Sequence, residues 1–255
     1  MTPAHNATQL LAYVAAGLLE DESSVFVGTG LPMIASMLAQ RTHAPHLLII
    51  FEAGGIGPQV PVLPISVGDS RTFYRAVAAS SMHDVMSASQ AGYVDYGFLG
   101  AAQIDAYGNL NTTVIGEWKH PTVRFPGSGG GNDVGSLCRR TIIVMRQDPR
   151  RFVEKLDFVT TPGYLDGPGA RERAGLPADS GPYRVITQLG LFDFDEGTKR
   201  MRLVATHPGF SVADVQAASG FELIVPDDIR TTEPPSAEAL EAMRESDPTG
   251  MVIGK

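Results

Sequence analysis

LLIIFEAGG, residues 47–55, is the stretch from which the fold can be read. Four branched apolar residues and a phenylalanine make an almost unbroken apolar run, the pattern of a parallel strand covered on both faces. The run stops at Glu52, and Ala53, Gly54 and Gly55 follow with almost no side chain. Upstream, residues 23–27 form a second short apolar run that ends at Gly28-Thr29-Gly30-Leu31-Pro32. Pro32 suits the first turn of a helix that continues through Ile34, Met37 and Leu38. Strand, helix, strand with this punctuation predicts an α/β fold: an open, mostly parallel sheet with helices on both faces. Open sheets of this kind hold ligands outside the carboxyl ends of their strands, which is where Glu52 falls.

Outward from this unit, residues 8–20 have helical spacing and residues 54–69, rich in proline and glycine, read as loop. A helix over 83–91, a strand over 93–99 and a buried strand over 141–145 follow. Residues 160–182 are irregular. Strands over 183–187, 190–194 and 201–205 are expected to run antiparallel around the Asp195-Glu196-Gly197 turn, and helices over 211–219 and 236–245 start on Ser211 and Ser236 as caps. No internal repeat or linker divides the chain, so residues 1–255 read as a single domain.

The balance of 43% apolar and 19% charged residues is that of a globular protein able to bury a sizeable core. A net charge of −8 argues against a general nucleic-acid binder, which needs a basic face to neutralise phosphates. The charge is uneven. Residues 139–155 hold six basic against two acidic residues, and 226–248 hold seven acidic against two basic. Taken alone, each is first a solvated face. No apolar stretch is long enough for a membrane span and the start lacks a basic n-region, so a soluble cytoplasmic protein is expected. Cys138, the single cysteine, cannot form an internal disulfide.

Glu52 has two local readings. It is a base, metal ligand or nucleophile, or it is a strand-end carboxylate accepting bonds from loop amides. A carboxylate nucleophile needs no activating partner, because it is ionised at neutral pH. Glycines after it, Gly54 among them, leave room for another molecule to approach the backbone. The run Gly127-Ser128-Gly129-Gly130-Gly131-Asn132 lacks the Gly-Lys-Ser/Thr ending of a phosphate loop, and Ser128 is not in a Gly-x-Ser-x-Gly elbow. Such a run is first a turn, yet its N–H groups are suited to a developing oxyanion. Gln103, Asp105, Asn109 and Asn111 crowd polar groups after the 93–99 strand, where the asparagines suit turns. Cys138 reads as lying at a helix start beside Arg139 and Arg140, with a structural thiol the simpler role. Six histidines show no metal-ligand spacing, and no metal site is expected; His43 and His46 come nearest.

Five blocks in order carry a family likeness: VGTGLPMIASMLAQRTHAPHLLIIFEAG (27–54), LGAAQIDAYGNLNTTVIG (99–116), RFPGSGGGND (124–133), DFVTTPGYLDGPGARERAGLP (157–177) and FDFDEGTKRMRLVATHPG (192–209). Together they resemble the beta subunits of class I CoA-transferases of the glutaconate type. The resemblance implies that Glu52 is the nucleophile of ping-pong chemistry running through an acyl anhydride and an enzyme–CoA thioester. It implies N–H donors at Gly129 or Gly130, and contacts to substrate or coenzyme A from Gly54, Gln103, Gly127, Ser128, Gly131 and Asn132. Coenzyme A is then substrate, with no permanently bound cofactor. The implied partner is a homologous alpha subunit, in an alpha2beta2 complex or a multiple, acting on an acyl-CoA and a small dicarboxylic or 3-oxo acid. Relatives of the same fold act instead as acyl-CoA hydrolases, ring-opening hydrolases or decarboxylases, and often lack this glutamate. A regulatory subunit that keeps only the fold is a third alternative. Where the glutaconate enzyme has Glu-Ser-Gly, this chain has Glu52-Ala53-Gly54, without the hydroxyl beside the carboxylate.

Overall fold

The computed structural model describes residues 5–254. Two compact units divide the chain, one running to Phe98 and rejoined from Glu233 onward, the other from Leu99 to Thr232.

The first unit runs α1 (Ala7–Ala16), β1 (Ser24–Val27), α2 (Leu31–Arg41), β2 (Leu48–Phe51), β3 (Gly55–Ile56), β4 (Ala78–Ala79), α3 (Met82–Gln90) and β5 (Tyr96–Leu99). Its strands lie in the order β5-β1-β2-β3-β4. β1 is parallel to both β5 and β2, with Val27 opposite Phe51 in the β1–β2 register. These are the strands with unbroken apolar runs, and β1 is buried throughout because both faces are covered. β3 falls within the region expected to be loop, and with β4 it adds an antiparallel edge. α1 opens on an Asn6 capping box closed by Gln9, and α3 on one formed by Ser81 and Asp84.

The second unit contains two hairpins, β6 (Gln103–Ile104) with β7 (Leu110–Asn111) and β8 (Val114–Gly116) with β9 (Pro121–Arg124). There follow α4 (Gly131–Leu137), β10 (Arg140–Val144), α5 (Ala170–Arg173), β11 (Pro182–Ile186), β12 (Gly190–Phe194), β13 (Met201–Thr206), α6 (Val212–Ala217) and β14 (Arg230–Thr231). Their sheet order is β14-β13-β12-β11-β10. β10 and β11 are parallel, whereas β11, β12 and β13 alternate antiparallel as the turn signals require. The core gathers on Phe152, whose ring centroid lies 6.0 Å from both Phe192 and Phe221. Ile104, Leu110, Ile143 and Leu203 pack in the same cluster.

The last helix, α7 (Ala237–Ser246), starts on a Ser236 cap and returns to the first unit, burying Leu240 and Met243. Among the described residues no helix is long and apolar enough to cross a membrane.

Candidate active site

Glu52 is the first residue past β2, in a two-residue turn, and is half-buried. Because Val27 pairs with Phe51 in parallel, Gly28 and Glu52 leave their strands side by side at the carboxyl end. α2 begins there as well, after Gly30 at φ +83°, so its positively polarised amino end shares that side of the sheet. Among the described residues, no group donates a hydrogen bond to the Glu52 carboxylate or pairs with it. The strand-end reading, in which loop amides satisfy the carboxylate, therefore finds no donors.

The glycines after Glu52 have an internal reason. Gly54 lies at φ +107°, and a Cβ there would sit 2.1 Å from the Ser80 carbonyl oxygen. A Cβ on Gly55 would come equally close, 2.1 Å, to the Thr72 carbonyl oxygen. The Ser80 amide donates to the Gly54 carbonyl, and the Gly54 amide donates to Phe51, each at 2.9 Å. The space that sequence reasoning reserved for a ligand at Gly54 is thus filled by the chain's own backbone, which pins the Glu52 turn.

In the second unit the glycine run spans an exposed loop leading into α4, so its last residues are helical rather than a free turn. Gly127 and Gly129 lie at φ +101° and +49°, with no atom within 4 Å of a built Cβ. The loop is anchored at both ends. Gly127 exchanges hydrogen bonds with Thr112, its amide to the threonine carbonyl at 3.2 Å and the Thr112 hydroxyl to its carbonyl at 3.0 Å. At the other end the Asn132 side chain donates to the Thr160 carbonyl at 2.9 Å, and the Gly131 amide donates to Ser128 at 2.8 Å. Among the described residues nothing accepts from the N–H groups of Gly129 and Gly130. Ser128 is exposed. Thr112 and Thr160 were not among the sequence candidates, since contacts spanning 48 residues leave no local pattern.

Gln103 is 5% exposed. Its amide nitrogen donates to Asp157 at 2.9 Å and its oxygen accepts from Asn111 at 2.7 Å, so its polar atoms brace the β6–β7 hairpin. Asp105 accepts from the Tyr107 and Asn109 amides and from the Asn109 side chain, as turn chemistry anticipates. Burial pushes the Asp105 carboxyl up, against the pull of those Asn109 and Tyr107 donors. Cys138 is buried at the carboxyl end of α4, a correction to the helix-start placement. His43 contacts the Leu19 carbonyl and His46 pairs with Asp21, so the nearest histidine pair by spacing serves separate partners. No cluster able to hold a metal exists among the described residues.

The coenzyme A transferase family model matches residues 9–218. Over 249 residues the chain is 40% identical to the B subunit of glutaconate CoA-transferase from Acidaminococcus fermentans, spanning 94% of this chain and 92% of that protein. It is 35% identical to the B subunit of 3-oxoadipate CoA-transferase from Pseudomonas knackmussii, spanning 94% and 93%. The crystal structure of glutaconate coenzyme A-transferase from Acidaminococcus fermentans matches with a TM-score of 0.93 at 38% identity, covering 98% of both chains.

Proposed function

Because this chain belongs to the coenzyme A transferase family, we propose that it carries the nucleophile that passes coenzyme A from an acyl-CoA to a small carboxylic acid. It is a CoA-transferase subunit of the beta type, and it works with a partner subunit. The observation that carries the assignment of the nucleophile is Glu52, half-buried past the end of a parallel strand, with no donor competing for its oxygens.

A Glu52 oxygen attacks the thioester carbonyl, and the tetrahedral oxyanion collapses by breaking the carbon–sulfur bond. The products are an acyl–glutamyl anhydride and coenzyme A thiolate. The thiolate then attacks the glutamyl carbonyl, leaving a glutamyl–CoA thioester and releasing the first acid as its carboxylate. The acceptor acid's carboxylate runs the same steps backwards. A carboxylate suits this task because its anhydride keeps thioester-level reactivity, so no phosphoryl donor is consumed. In this reading the free N–H groups of Gly129 and Gly130 stabilise the oxyanion. Gly127, Ser128, Gly131 and Asn132 shape the loop that presents them, while Gly54 and Gln103 hold the turn and hairpin in place. Residues 1–255 act as one catalytic subunit, paired with a homologous alpha subunit in an alpha2beta2 complex or a multiple, in the cytoplasm. The acids are dicarboxylates or 3-oxo acids, as the names of the glutaconate and 3-oxoadipate relatives suggest, and no cofactor is held permanently.

The test uses the assembled two-subunit enzyme. Incubated with acyl-CoA and then borohydride or hydroxylamine, it should yield a modified peptide containing Glu52, and Glu52→Gln should lower turnover by about 10³-fold or more. Thioester hydrolysis with no modification at Glu52, and normal rates in Glu52→Gln, would instead point to hydrolase or decarboxylase chemistry.

A further inference from the structure

A cavity of about 270 Å³ opens in the second unit at the amino ends of the parallel strands β10 and β11, lined in part by Arg139, Arg140, Arg171, Lys199, Tyr164 and Tyr183. It lies beyond the carboxyl end of α4, whose amino end carries the glycine loop; seven helical residues put roughly 10 Å between those ends. The proposed transfer chemistry makes no use of it.

Charge is the feature that singles this cavity out. Four cations line it against two carboxylates, Glu172 and Asp179, in a chain whose net charge is −8. Arg171 is 3% exposed. Its Nη atoms donate to the carbonyls of Gly135, Ser136, Pro162 and Gly163 and to the Ser180 hydroxyl, from 2.6 to 3.3 Å. Its Nε is buried with no acceptor among the described residues. Among the described residues no carboxylate comes within ion-pair distance of Arg171 or Lys199. A buried guanidinium whose hydrogen bonds all go to neutral groups, with the Glu172 charge offsetting it from outside ion-pair distance, keeps a positive potential in the space beside it, because the low local dielectric screens it weakly. Lys199 stands on the wall in the left-handed backbone region at φ +59°, a position that costs an L-residue energy. Its ammonium lies 5.3 Å from the centroid of the Tyr164 ring.

We propose that this cavity binds a phosphate group of a small molecule, with Lys199 in direct contact and Arg171 as the buried counter-charge behind the wall. Arg171 and Lys199, neither of them in an ion pair among the described residues, match a phosphate dianion better than a monocarboxylate, and arginine and lysine together are a common phosphate-binding set. The volume leaves room for a diphosphate or for the phosphorylated end of a nucleotide.

The assembled two-subunit enzyme, saturated with free coenzyme A, is titrated calorimetrically with inorganic pyrophosphate and, separately, with 3′,5′-ADP. Saturable binding of pyrophosphate alone assigns a diphosphate, and binding of both admits a nucleotide end; either result supports the site. Lys199→Gln should weaken binding by about 10-fold or more, Lys199→Arg should restore most of it, and turnover should stay unchanged in both. Glu52→Gln should bind as the unmodified enzyme does. Absence of saturable binding with both probes, equal affinity in Lys199→Gln, or loss of binding in Glu52→Gln would each overturn the proposal.

Discussion

Glycine does two different jobs in the two candidate segments, and substitution separates them. At Gly54 a methyl group meets the Ser80 carbonyl at 2.1 Å and the backbone sits at φ +107°. Gly54→Ala should therefore cost about 3 kcal/mol or more, from strain and displaced backbone together, read as a drop in the midpoint of urea unfolding. Gly130 is the opposite case. Its φ of −74° already suits proline, and its N–H serves no described acceptor. Gly130→Pro should leave stability nearly unchanged while removing the donor, so kcat should fall about 10²-fold with KM little altered if that amide stabilises the oxyanion. Unchanged kcat would shift the role to Gly129. Glu52 was legible from sequence because a carboxylate at the end of an apolar run is conspicuous. The anchoring threonines were not, because they act through contacts with residues far away in the chain.

Elements with strong local signals were readable. β12 spans the five residues expected, and Ser211 and Ser236 accept the N3 amides of α6 and α7 as caps. The hairpins β6–β7 and β8–β9 were missed because strands of two to four residues leave too few positions for an alternation to show. α4 was missed because its glycines mask a helix held by tertiary contacts. A titrating link joins three strand ends. His207, just past β13, lies 2.8 Å from the Thr187 carbonyl after β11 and 2.7 Å from the Thr232 hydroxyl after β14. A carbonyl only accepts, so Nε2 carries the proton and Nδ1 accepts from Thr232: the neutral ring is fully satisfied. Burial lowers the His207 pKa from its ordinary value of 6.5. The unfolded chain therefore binds more protons, and this contribution to stability is complete above the unfolded value near 6.5 and is lost as pH falls below it. The urea midpoint should decline between pH 7.5 and pH 5.5, and His207→Gln should flatten that decline.

At the scale of the molecule, the C-terminal segment is part of the first unit. Leu240, Met243 and Ile253 are buried there, the Asn6 side chain donates to the Ile253 carbonyl at 2.6 Å, and Leu63 donates to Ser246 at 2.7 Å. The basic stretch from Arg139 is divided: Arg151 and Arg150 turn to Asp148, while Arg139, beside Asp179, and Arg140 line the cavity of the second unit. In the proposed complex the partner subunit adds cations for the phosphates of coenzyme A, to which a chain carrying −8 contributes few. Purified alone, it should give a cooperative unfolding transition but no measurable transferase turnover, and adding the partner subunit should restore activity. Full turnover by the single chain would refute the division of labour.

Apolar periodicity, caps and glycine punctuation act over a few residues, and sequence by itself therefore determined the α/β class, the central strands, most helix starts and the candidate nucleophile. Tertiary structure alone decided which glycines are crowded and which face open space, and which threonines hold the glycine loop. It also decided that Gln103 spends its amide inside the protein, and that a buried arginine forms no ion pair among the described residues. Those properties depend on atoms brought together from distant positions, and burial and hydrogen bonding are settled only once the chain has closed on itself.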